Sequence, residues 1–255
     1  MNVFLTGASS GIGAALAREY AARGATLGLV ARRAAALNEL VAGLPGSHFV
    51  YAVDVTDRDA LIAAARSFEQ DCGGADLVIA NAGISVGVLT EHYEDLDAFR
   101  EVLATNVLAL AHTFHPFIAP MRARRRGTLV GIASVAGIRG LPGSEAYCAS
   151  KAAAISYCES LRVELRRFGV RVVTIAPGFV RTPLTARNRY PMPFLMEPAR
   201  FARIAADRIA SGTSYAVIPW QMAVVAKLLR LLPNWAFDRL MAKRPYKPRK
   251  TEPSL

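Results

Sequence analysis

The sequence predicts an α/β protein in which a doubly wound parallel sheet of about seven strands carries helices on both faces. Seven short apolar runs alternate with longer stretches of helical character. Runs such as residues 76–80 are apolar without alternation, as expected for strands that are covered on both faces. Polar and glycine residues follow most of these runs, and in this fold the ligand lies outside the carboxyl ends of the strands.

The first half of the chain predicts four strands and three helices in alternation. Each strand is a short apolar run, and each helix fills the interval before the next run. The strands are predicted at 3–6, 26–31, 48–53 and 76–80. The helices are predicted at 12–23, 34–41 and 58–70.

The second half repeats the pattern with longer helices. The strands are predicted at 128–133, 170–175 and 215–218. The helices are predicted at 95–117, 146–168 and 198–210. The sequence contains no internal repeat, and 255 residues fit one large domain of this class.

A glycine-rich turn follows the first strand. Gly7, Gly11 and Gly13 have the spacing G-x-x-x-G-x-G, and the last of them opens a helix. The free amides and the dipole of a helix N-terminus favour a pyrophosphate, and glycine lets the backbone turn tightly and approach the ligand. The turn therefore predicts a dinucleotide site, with a purely structural turn as the alternative.

Tyr147 and Lys151 lie four residues apart on a predicted helix, with Ser134 upstream at the end of a strand. Side chains at i and i+4 share one face of a helix. A free tyrosine has a pKa of about 10, and a nearby ammonium favours the phenolate and lowers that pKa. The pair therefore predicts proton transfer to a carbonyl or from an alcohol, although this spacing also arises by chance.

These motifs, in this order, resemble those of the short-chain dehydrogenase/reductase family in its compact, single-domain branch. The matching residues are Thr6 to Gly13, Asp54, Asn81-Ala82-Gly83, Asn106, Ser134, Tyr147 with Lys151, Pro177-Gly178 and Thr182. The resemblance weakens after Thr182, so an extra apolar and basic segment is predicted at the C-terminus. It implies a Rossmann-type fold, with a single NADP-binding catalytic domain at residues 1–218.

The resemblance also implies a catalytic role for four residues. Tyr147 would donate a proton to a carbonyl oxygen, and Lys151 would lower the pKa of Tyr147 and bind the nicotinamide ribose. Ser134 would stabilise charge that develops on the same oxygen, and Asn106, which matches the family's helix-kinking asparagine, would hold a water beside Lys151. The alternatives are a simple cap after a strand for Ser134 and a surface position in a helix for Asn106.

The cofactor is predicted to be NADP(H) in preference to NAD(H). In the family an acidic residue at the end of the second strand selects NAD, whereas here the strand runs into Arg32 and Arg33. A guanidinium can pair with a 2′-phosphate, and Arg32 is the favoured contact. The alternative is that both arginines lie on a solvated surface. The predicted cofactor-binding residues are Gly7, Ser9, Ser10, Gly11, Ile12, Gly13, Arg32, Arg33, Asp54, Val55, Asn81, Ala82, Gly83, Tyr147, Lys151, Pro177, Gly178, Val180 and Thr182.

Composition excludes several other classes of protein. The three cysteines are odd in number and form no C-x-x-C, which favours a reducing cytoplasm over a disulfide framework. The four histidines are scattered, so no metal site is predicted. The chain starts on a strand and lacks a run of about 18 uncharged apolar residues, so neither a signal peptide nor a spanning helix is expected. The basic residues lack interleaved aromatic residues, so nucleic acid is not an expected partner.

The C-terminal part predicts a lid and a helical extension. Residues 183–200 are rich in Pro, Met, Phe and Leu, which suggests a mobile lid over a hydrophobic substrate or packing against the body or a second subunit. Residues 219–255 predict two helices and a flexible end. From Trp220 onward eight Lys and Arg stand against two acids, so the segment either packs on the catalytic domain or contacts an anionic membrane surface.

The sequence therefore predicts an NADP(H)-dependent oxidoreductase that reduces the ketone or aldehyde of a hydrophobic small molecule, or oxidises the alcohol. One alternative is a regulatory protein that binds NADP without catalysis, and another is an isomerase or dehydratase on the same fold. A cytoplasmic homodimer or homotetramer is expected from the resemblance.

Overall fold

The computed structural model describes residues 1–186, 188 and 190–250, and its centre is one sheet of seven parallel strands. The strands are β1 (Asn2–Thr6), β2 (Thr26–Ala31), β3 (Phe49–Ala52), β4 (Leu77–Ala80), β5 (Gly127–Ile132), β6 (Val170–Pro177) and β7 (Tyr215–Ile218). Their order across the sheet is β3-β2-β1-β4-β5-β6-β7. The predicted doubly wound α/β fold is confirmed. The strand order reverses between β1 and β4, which opens a crevice at their carboxyl ends.

Ten α-helices connect and flank these strands in the described part of the chain. They are α1 (Gly11–Ala22), α2 (Ala34–Ala42), α3 (Arg58–Cys72), α4 (Asp95–Leu103), α5 (Ala109–Arg124), α6 (Glu145–Arg166), α7 (Pro183–Ala186), α8 (Pro198–Ala210), α9 (Trp220–Leu231) and α10 (Asn234–Met241). A π-helical turn (Ala104–Leu108) joins α4 to α5, and a 3-10 turn (Val135–Gly137) follows β5.

Two apolar layers bury the sheet, one on each face. On one face α1, α2 and α8 pack on the strands, with Leu16, Leu37 and Phe201 fully enclosed. On the other face α3, α5 and α6 surround Phe4, whose ring lies 5.0 Å from that of Phe117. Because both faces are covered, the strands read as continuous apolar runs.

The helix predicted at 95–117 differs from the structure in two ways. It is interrupted by the π-helical turn that contains Asn106, and it continues through Pro116 and Pro120 to Arg124. By length and composition alone the stretch Asp95–Arg124 could cross a membrane, contrary to the expectation from sequence. Phe114, Phe117 and Met121 of this stretch are nevertheless buried against the sheet, as in the core helices of globular proteins.

The chain end packs against the rest of the protein over its described length. Met222 and Ala226 of α9 and Phe237 and Met241 of α10 are buried on the inner faces of these helices. Residues 244–250 follow as a segment without helix or strand, and Lys247 within it is buried. This described part of the tail makes defined contacts, contrary to the flexible end expected from its composition. Residues 251–255, where flexibility was also predicted, lie outside the described residues.

Candidate active site

A cleft of about 1080 Å³ lies along the carboxyl edge of the sheet. Its walls come from the ends of β1 to β6 and from the loops that follow them. All the cofactor-binding residues predicted from the sequence line this cleft, and so do Ser134, Tyr147 and Lys151. Asn106 lies behind the wall and is buried. Residues far apart in sequence are therefore brought to one surface, as the switch-point rule requires.

The glycine-rich turn has the geometry of a cradle. Gly7 has a φ of 68°, and a Cβ there would lie 2.8 Å from the Cα of Ala82. A Cβ on Gly13 would collide with the carbonyl oxygen of Gly7. Ser10, the N-cap of α1, makes no side-chain capping bond to a described residue, so the amides at this helix end face the cleft without that partner. This arrangement fits a pyrophosphate.

The ends of β1 and β4 are tied together beside the turn. The Oγ1 of Thr6 accepts hydrogen bonds from the amides of Asn81 at 3.1 Å and Ala82 at 3.3 Å. The Nδ2 of Asn81 donates to the carbonyl oxygens of Thr6 at 3.0 Å and Gly7 at 3.2 Å. Thr6, which the sequence analysis gave no such role, thus fixes the width of the crevice, and Asn81 has a structural task besides its predicted one.

Two exposed arginines and one carboxylate surround the far end of the cleft. Arg32 reaches Asp54 in a loose ion pair of 3.8 Å, and the Nη2 of Arg33 donates to the Oγ of Ser9 at 3.4 Å. Asp54 accepts from the amide and hydroxyl of Thr56 at 2.9 and 2.8 Å. Burial opposes the ionised form, but these bonds and Arg32 outweigh it and lower the pKa of Asp54. The carboxylate therefore stays charged and partly neutralises Arg32.

Asn106 connects the π-helical turn to α6, the helix that carries Tyr147 and Lys151. Its Oδ1 accepts from the amide of Ile84 at 2.8 Å, and its Nδ2 donates to the carbonyl oxygen of Ile84 at 3.0 Å. The same Nδ2 donates to the Oγ of Ser150 at 2.9 Å, and Ser150 donates to the carbonyl oxygen of Tyr147 at 2.8 Å. A chain of hydrogen bonds thus joins the β4–α4 loop to α6. Ser150, which sequence reasoning missed, is a member of this chain.

Lys151 lies deep in the cleft wall. Its Nζ donates to the carbonyl oxygen of Ile132 at 2.9 Å, and only 5% of the residue is exposed. Burial lowers its pKa to about 8. A Cβ added to Gly83 would lie 3.5 Å from this Nζ and 3.2 Å from the Oδ1 of Asn106. An alanine at position 83 would therefore crowd the Oδ1 of Asn106 and touch the Nζ of Lys151.

Tyr147 and Ser134 lie next to each other in the wall of the cleft. Burial raises the pKa of the Tyr147 phenol to about 12, although a hydrogen bond with Ser134 opposes this rise. The Nζ of Lys151 lies 5.8 Å from the centre of the Tyr147 ring. Burial is therefore the main influence on the Tyr147 pKa in this structure, and the lowering expected from Lys151 stays a prediction. The phenol is a neutral donor at physiological pH.

The cleft also contains residues that no sequence motif indicated. Its open end is lined by Ile84, Val86, Thr105, Leu184 and Lys250. These residues lie in the β4–α4 loop, the π-helical turn, α7 and the C-terminal tail, and no motif distinguishes them. A phenol, a hydroxyl and an ammonium close to an opening with both apolar and polar residues can hold and protonate an oxygen of a bound molecule.

Comparisons with known proteins identify the family. The family model of short chain dehydrogenases matches residues 1–192. An uncharacterized oxidoreductase of Myxococcus xanthus is 41% identical over 239 residues, which cover 92% of this chain and 93% of the relative. An uncharacterized oxidoreductase of Mycobacterium tuberculosis is 34% identical over 91% of this chain and 93% of the relative. The alignment with the Myxococcus protein must extend into residues 219–255, so an added C-terminal segment is not confirmed.

Solved structures give the same answer. A short-chain dehydrogenase from Streptomyces avermitilis is 26% identical and covers 95% of each chain, with a TM-score of 0.78. Levodione reductase is 25% identical, also with a TM-score of 0.78, and covers 87% of this chain and 97% of that one. The fold, the family match and these relatives together place the chain in the short-chain dehydrogenase family of oxidoreductases, whose members bind a nicotinamide cofactor.

Proposed function

We propose that this protein is an NADP(H)-dependent reductase of ketones or aldehydes, with Tyr147 as the proton donor. The observation that carries the proposal is the convergence of Tyr147, Ser134 and Lys151 on the cleft that the predicted cofactor residues line. A bound nicotinamide would supply the hydride to the carbonyl carbon. Tyr147 would give its proton to the carbonyl oxygen, and Ser134 would hold that oxygen by a hydrogen bond.

The protonation states support the reductive direction. With its pKa raised by burial, the phenol of Tyr147 is protonated at neutral pH and ready to donate. The ammonium of Lys151 is charged below pH 8 and can stabilise the phenolate that remains after donation. Levodione reductase, one of the structural relatives, is a reductase by name.

NADP(H) is the favoured cofactor because two guanidiniums stand where a ribose-binding carboxylate would select NAD. Arg32 and Arg33 are both exposed beside the adenosine end of the cleft. The bond from Arg33 to Ser9 brings the second arginine next to the glycine-rich turn. Asp54 weakens the case for Arg32 alone, because it already pairs with that residue.

A hydrophobic substrate is favoured by the open end of the cleft. Three apolar side chains, those of Ile84, Val86 and Leu184, line that end. Apolar walls of this kind bind the body of a ligand and leave its one polar group to the catalytic residues.

A regulatory protein that binds NADP without turnover is the alternative. Catalysis is tested by following NADPH absorbance with a panel of ketones, quinones and acyl ketones. Tyr147→Phe should lower kcat at least a hundredfold, because it removes the donor and keeps the ring. Tyr157→Phe is the matched control, since Tyr157 lies on the same helix and stacks on Phe114 in the core. Tight NADPH binding without turnover of any substrate would favour the regulatory function.

The assembly and the location of the protein are also proposed. A homodimer or homotetramer is favoured through the outer faces of α4, α5 and α6, where Leu108 and Val163 are largely exposed. A cytoplasmic location is proposed, with a peripheral membrane contact through α9 and α10 as a further possibility that the exposed side chains of these helices support. Nucleic acid is not a proposed partner.

A further inference from the structure

Residues 244–250, called the strap from here on, cross the open end of the cleft. The strap follows α10 after a short turn and ends at Lys250, which lines the cleft. Along this path it meets Tyr190 of the lid, Gly143 in the β5–α6 loop and Gly87 in the β4–α4 loop. Three walls of the cleft thus converge on one short segment.

The backbone of the strap is packed tightly against the β4–α4 loop. The amide of Gly87 donates to the carbonyl oxygen of Pro248 at 3.0 Å, and Gly87 pairs with Arg249 as an isolated parallel bridge. A Cβ on Gly87 would collide with the carbonyl oxygen of Lys247. Only glycine permits this approach, so the β4–α4 loop is shaped to receive the strap.

Lys247 joins two of the walls with one side chain. Its Nζ donates to the Oγ of Ser85 at 2.9 Å and to the carbonyl oxygen of Leu184 in α7 at 3.2 Å. The residue is 6% exposed, so these bonds lie away from bulk water and are charge-assisted. Ser85 is flanked by Ile84 and Val86, which line the cleft together with Leu184.

Ion pairs fasten the far end of the strap to α4. The Nε of Arg249 donates to the Oδ2 of Asp95 at 2.8 Å, and Asp95 is 1% exposed. The Nζ of Lys250 contacts both carboxylate oxygens of Glu101, at 2.7 and 2.8 Å. These contacts hold the strap in register over Gly87, while Lys247 reaches the lid.

We infer that the strap forms the outer wall of the substrate end of the cleft, and that Lys247 is a positioning residue that latches α7 to the β4–α4 loop. The inference rests on the proposed function for its effect on the reaction. While both hydrogen bonds of Lys247 are intact, α7 lies over the cleft. The strap therefore limits which substrates enter and slows release of the dinucleotide. A bound molecule can leave the cleft only after the hydrogen bonds of Lys247 to Ser85 and Leu184 break.

The first test needs no cofactor. Lys247→Met keeps the length of the side chain and removes the ammonium, and Lys243→Met makes the same change at a nearby exposed position. Hydrogen exchange is followed at the amide of Gly87 and at those of Thr185 and Ala186, which bond to the carbonyl oxygen of Thr182. We expect roughly tenfold faster exchange in Lys247→Met, the size expected for loss of a charge-assisted hydrogen bond, and no change in Lys243→Met.

The second test measures the reaction. The rate of NADPH release in stopped flow should rise roughly tenfold in Lys247→Met, and the KM for bulky ketones should change more than kcat. If hydrogen exchange and NADPH release are as slow in Lys247→Met as in Lys243→Met, the inference is overturned. Faster exchange with unchanged release would overturn the latching role. A protein that binds no dinucleotide would instead refute the proposed function, because the exchange measurement does not depend on binding.

Discussion

Lys151 carries an ammonium that is buried inside the protein. In the structure it bonds to one carbonyl oxygen, that of Ile132, at 2.9 Å. Burial lowers its pKa from 10.5 to about 8, so the folded protein is destabilised by this charge at neutral pH. Such a cost is typical of a group kept for chemistry in place of stability.

The first prediction follows from that cost. Lys151→Met should abolish activity and raise the free energy of unfolding at pH 7 by about 2 kcal/mol. A pKa lowered by about 2.5 units corresponds to ~3 kcal/mol, and the lost bond to Ile132 offsets about 1 kcal/mol. Urea unfolding measures the difference, and a Lys151→Met protein that is less stable than the parent would contradict it.

The pH dependence of this difference has a definite sign. The folded pKa of Lys151 lies below the unfolded value, so the unfolded state binds the proton more tightly between pH 8 and pH 10.5. The parent protein therefore gains stability relative to Lys151→Met as pH rises through that window. The excess in free energy of unfolding of Lys151→Met over the parent protein should be full below pH 8 and small at about pH 10.

Arg32 and Arg33 divide the predicted recognition of the 2′-phosphate. Arg32 is held loosely by Asp54, whereas Arg33 contacts Ser9 beside the glycine-rich turn. Arg33→Ala and Arg32→Ala should each weaken NADPH binding by about tenfold or more and leave NADH binding nearly unchanged, since a charge-assisted bond to phosphate is worth ~1.5–3 kcal/mol. Fluorescence titration with both dinucleotides measures this.

Arg18→Ala is the control for that titration, because Arg18 is an exposed arginine of α1 for which no contact with the cleft is seen among the described residues. Equal losses of NADPH and NADH affinity would show that the two arginines hold the pyrophosphate, which both cofactors share. Unchanged affinity for both would place the two side chains in solvent.

At the scale of elements, the alternation of apolar runs was enough to predict every strand and most helices between them, but not α7 or the break between α4 and α5. The residues that follow strand ends, Gly7, Asn81 and Ser134 among them, were predictable for the same reason. The π-helical turn at Ala104–Leu108 has no local signature, and its position depends on the bonds of Asn106 to Ile84 and Ser150. Only the resemblance pointed to a kink there.

The docking of α9 and α10 depends on one side chain from the β5–α6 loop. Arg139 donates through Nη1 to the carbonyl oxygens of Leu229 and, at 2.6 Å, of Leu232, and its Nη2 donates to Asn234 at 3.2 Å. Its guanidinium also lies 3.9 Å from the centre of the Phe237 ring. The turn between the two helices is therefore capped from the loop that precedes Tyr147.

Arg139→Met should release these two helices before the rest of the protein unfolds. The loss of partners for two carbonyl groups would cost about 1–3 kcal/mol locally. Both tryptophans of the chain, Trp220 and Trp235, lie in α9 and α10, so their fluorescence reports this segment, while far-UV circular dichroism reports the whole. The fluorescence transition should move to lower urea in Arg139→Met alone. Arg66→Met, which changes an exposed arginine of α3, is the control. A fluorescence transition of Arg139→Met that still coincides with its circular dichroism transition, as in Arg66→Met, would contradict the prediction.

The whole molecule shows where sequence reasoning reached its limit. Motifs located the dinucleotide half of the cleft, because each motif belongs to a strand end whose position the sheet fixes. The strap was taken for a flexible basic tail, because its composition is that of a disordered segment. Its order comes from Gly87, Ser85, Asp95 and Glu101, which lie about 150 or more residues earlier in the chain.

The outer faces of α9 and α10 carry an unusual combination of side chains. Trp220 and Trp235 are 68% and 75% exposed, and Val224, Leu228 and Leu231 lie exposed between them. Lys227, Arg230, Arg239 and Lys243 are exposed on the same helices or directly after them, with Asp238 as the one acid of α9 and α10. An apolar stripe with cations fits an anionic lipid surface. In a two-fold contact the same patch would meet itself, cation against cation.

Vesicle sedimentation decides between these two partners for the stripe. The protein should bind vesicles that contain anionic lipid, lose most of that binding at high salt, and bind neutral vesicles weakly. The double variant Trp220→Ser/Trp235→Ser should lose the binding, whereas Tyr93→Ser, which removes an equally exposed aromatic ring from the β4–α4 loop, should keep it. If the double variant instead dissociates an oligomer in light scattering and no vesicle binding occurs with the parent protein, the stripe is a subunit contact. In such a two-fold contact the cations of the two patches repel each other unless they are offset. Salt screens this repulsion, so the oligomer should become tighter as the salt concentration rises.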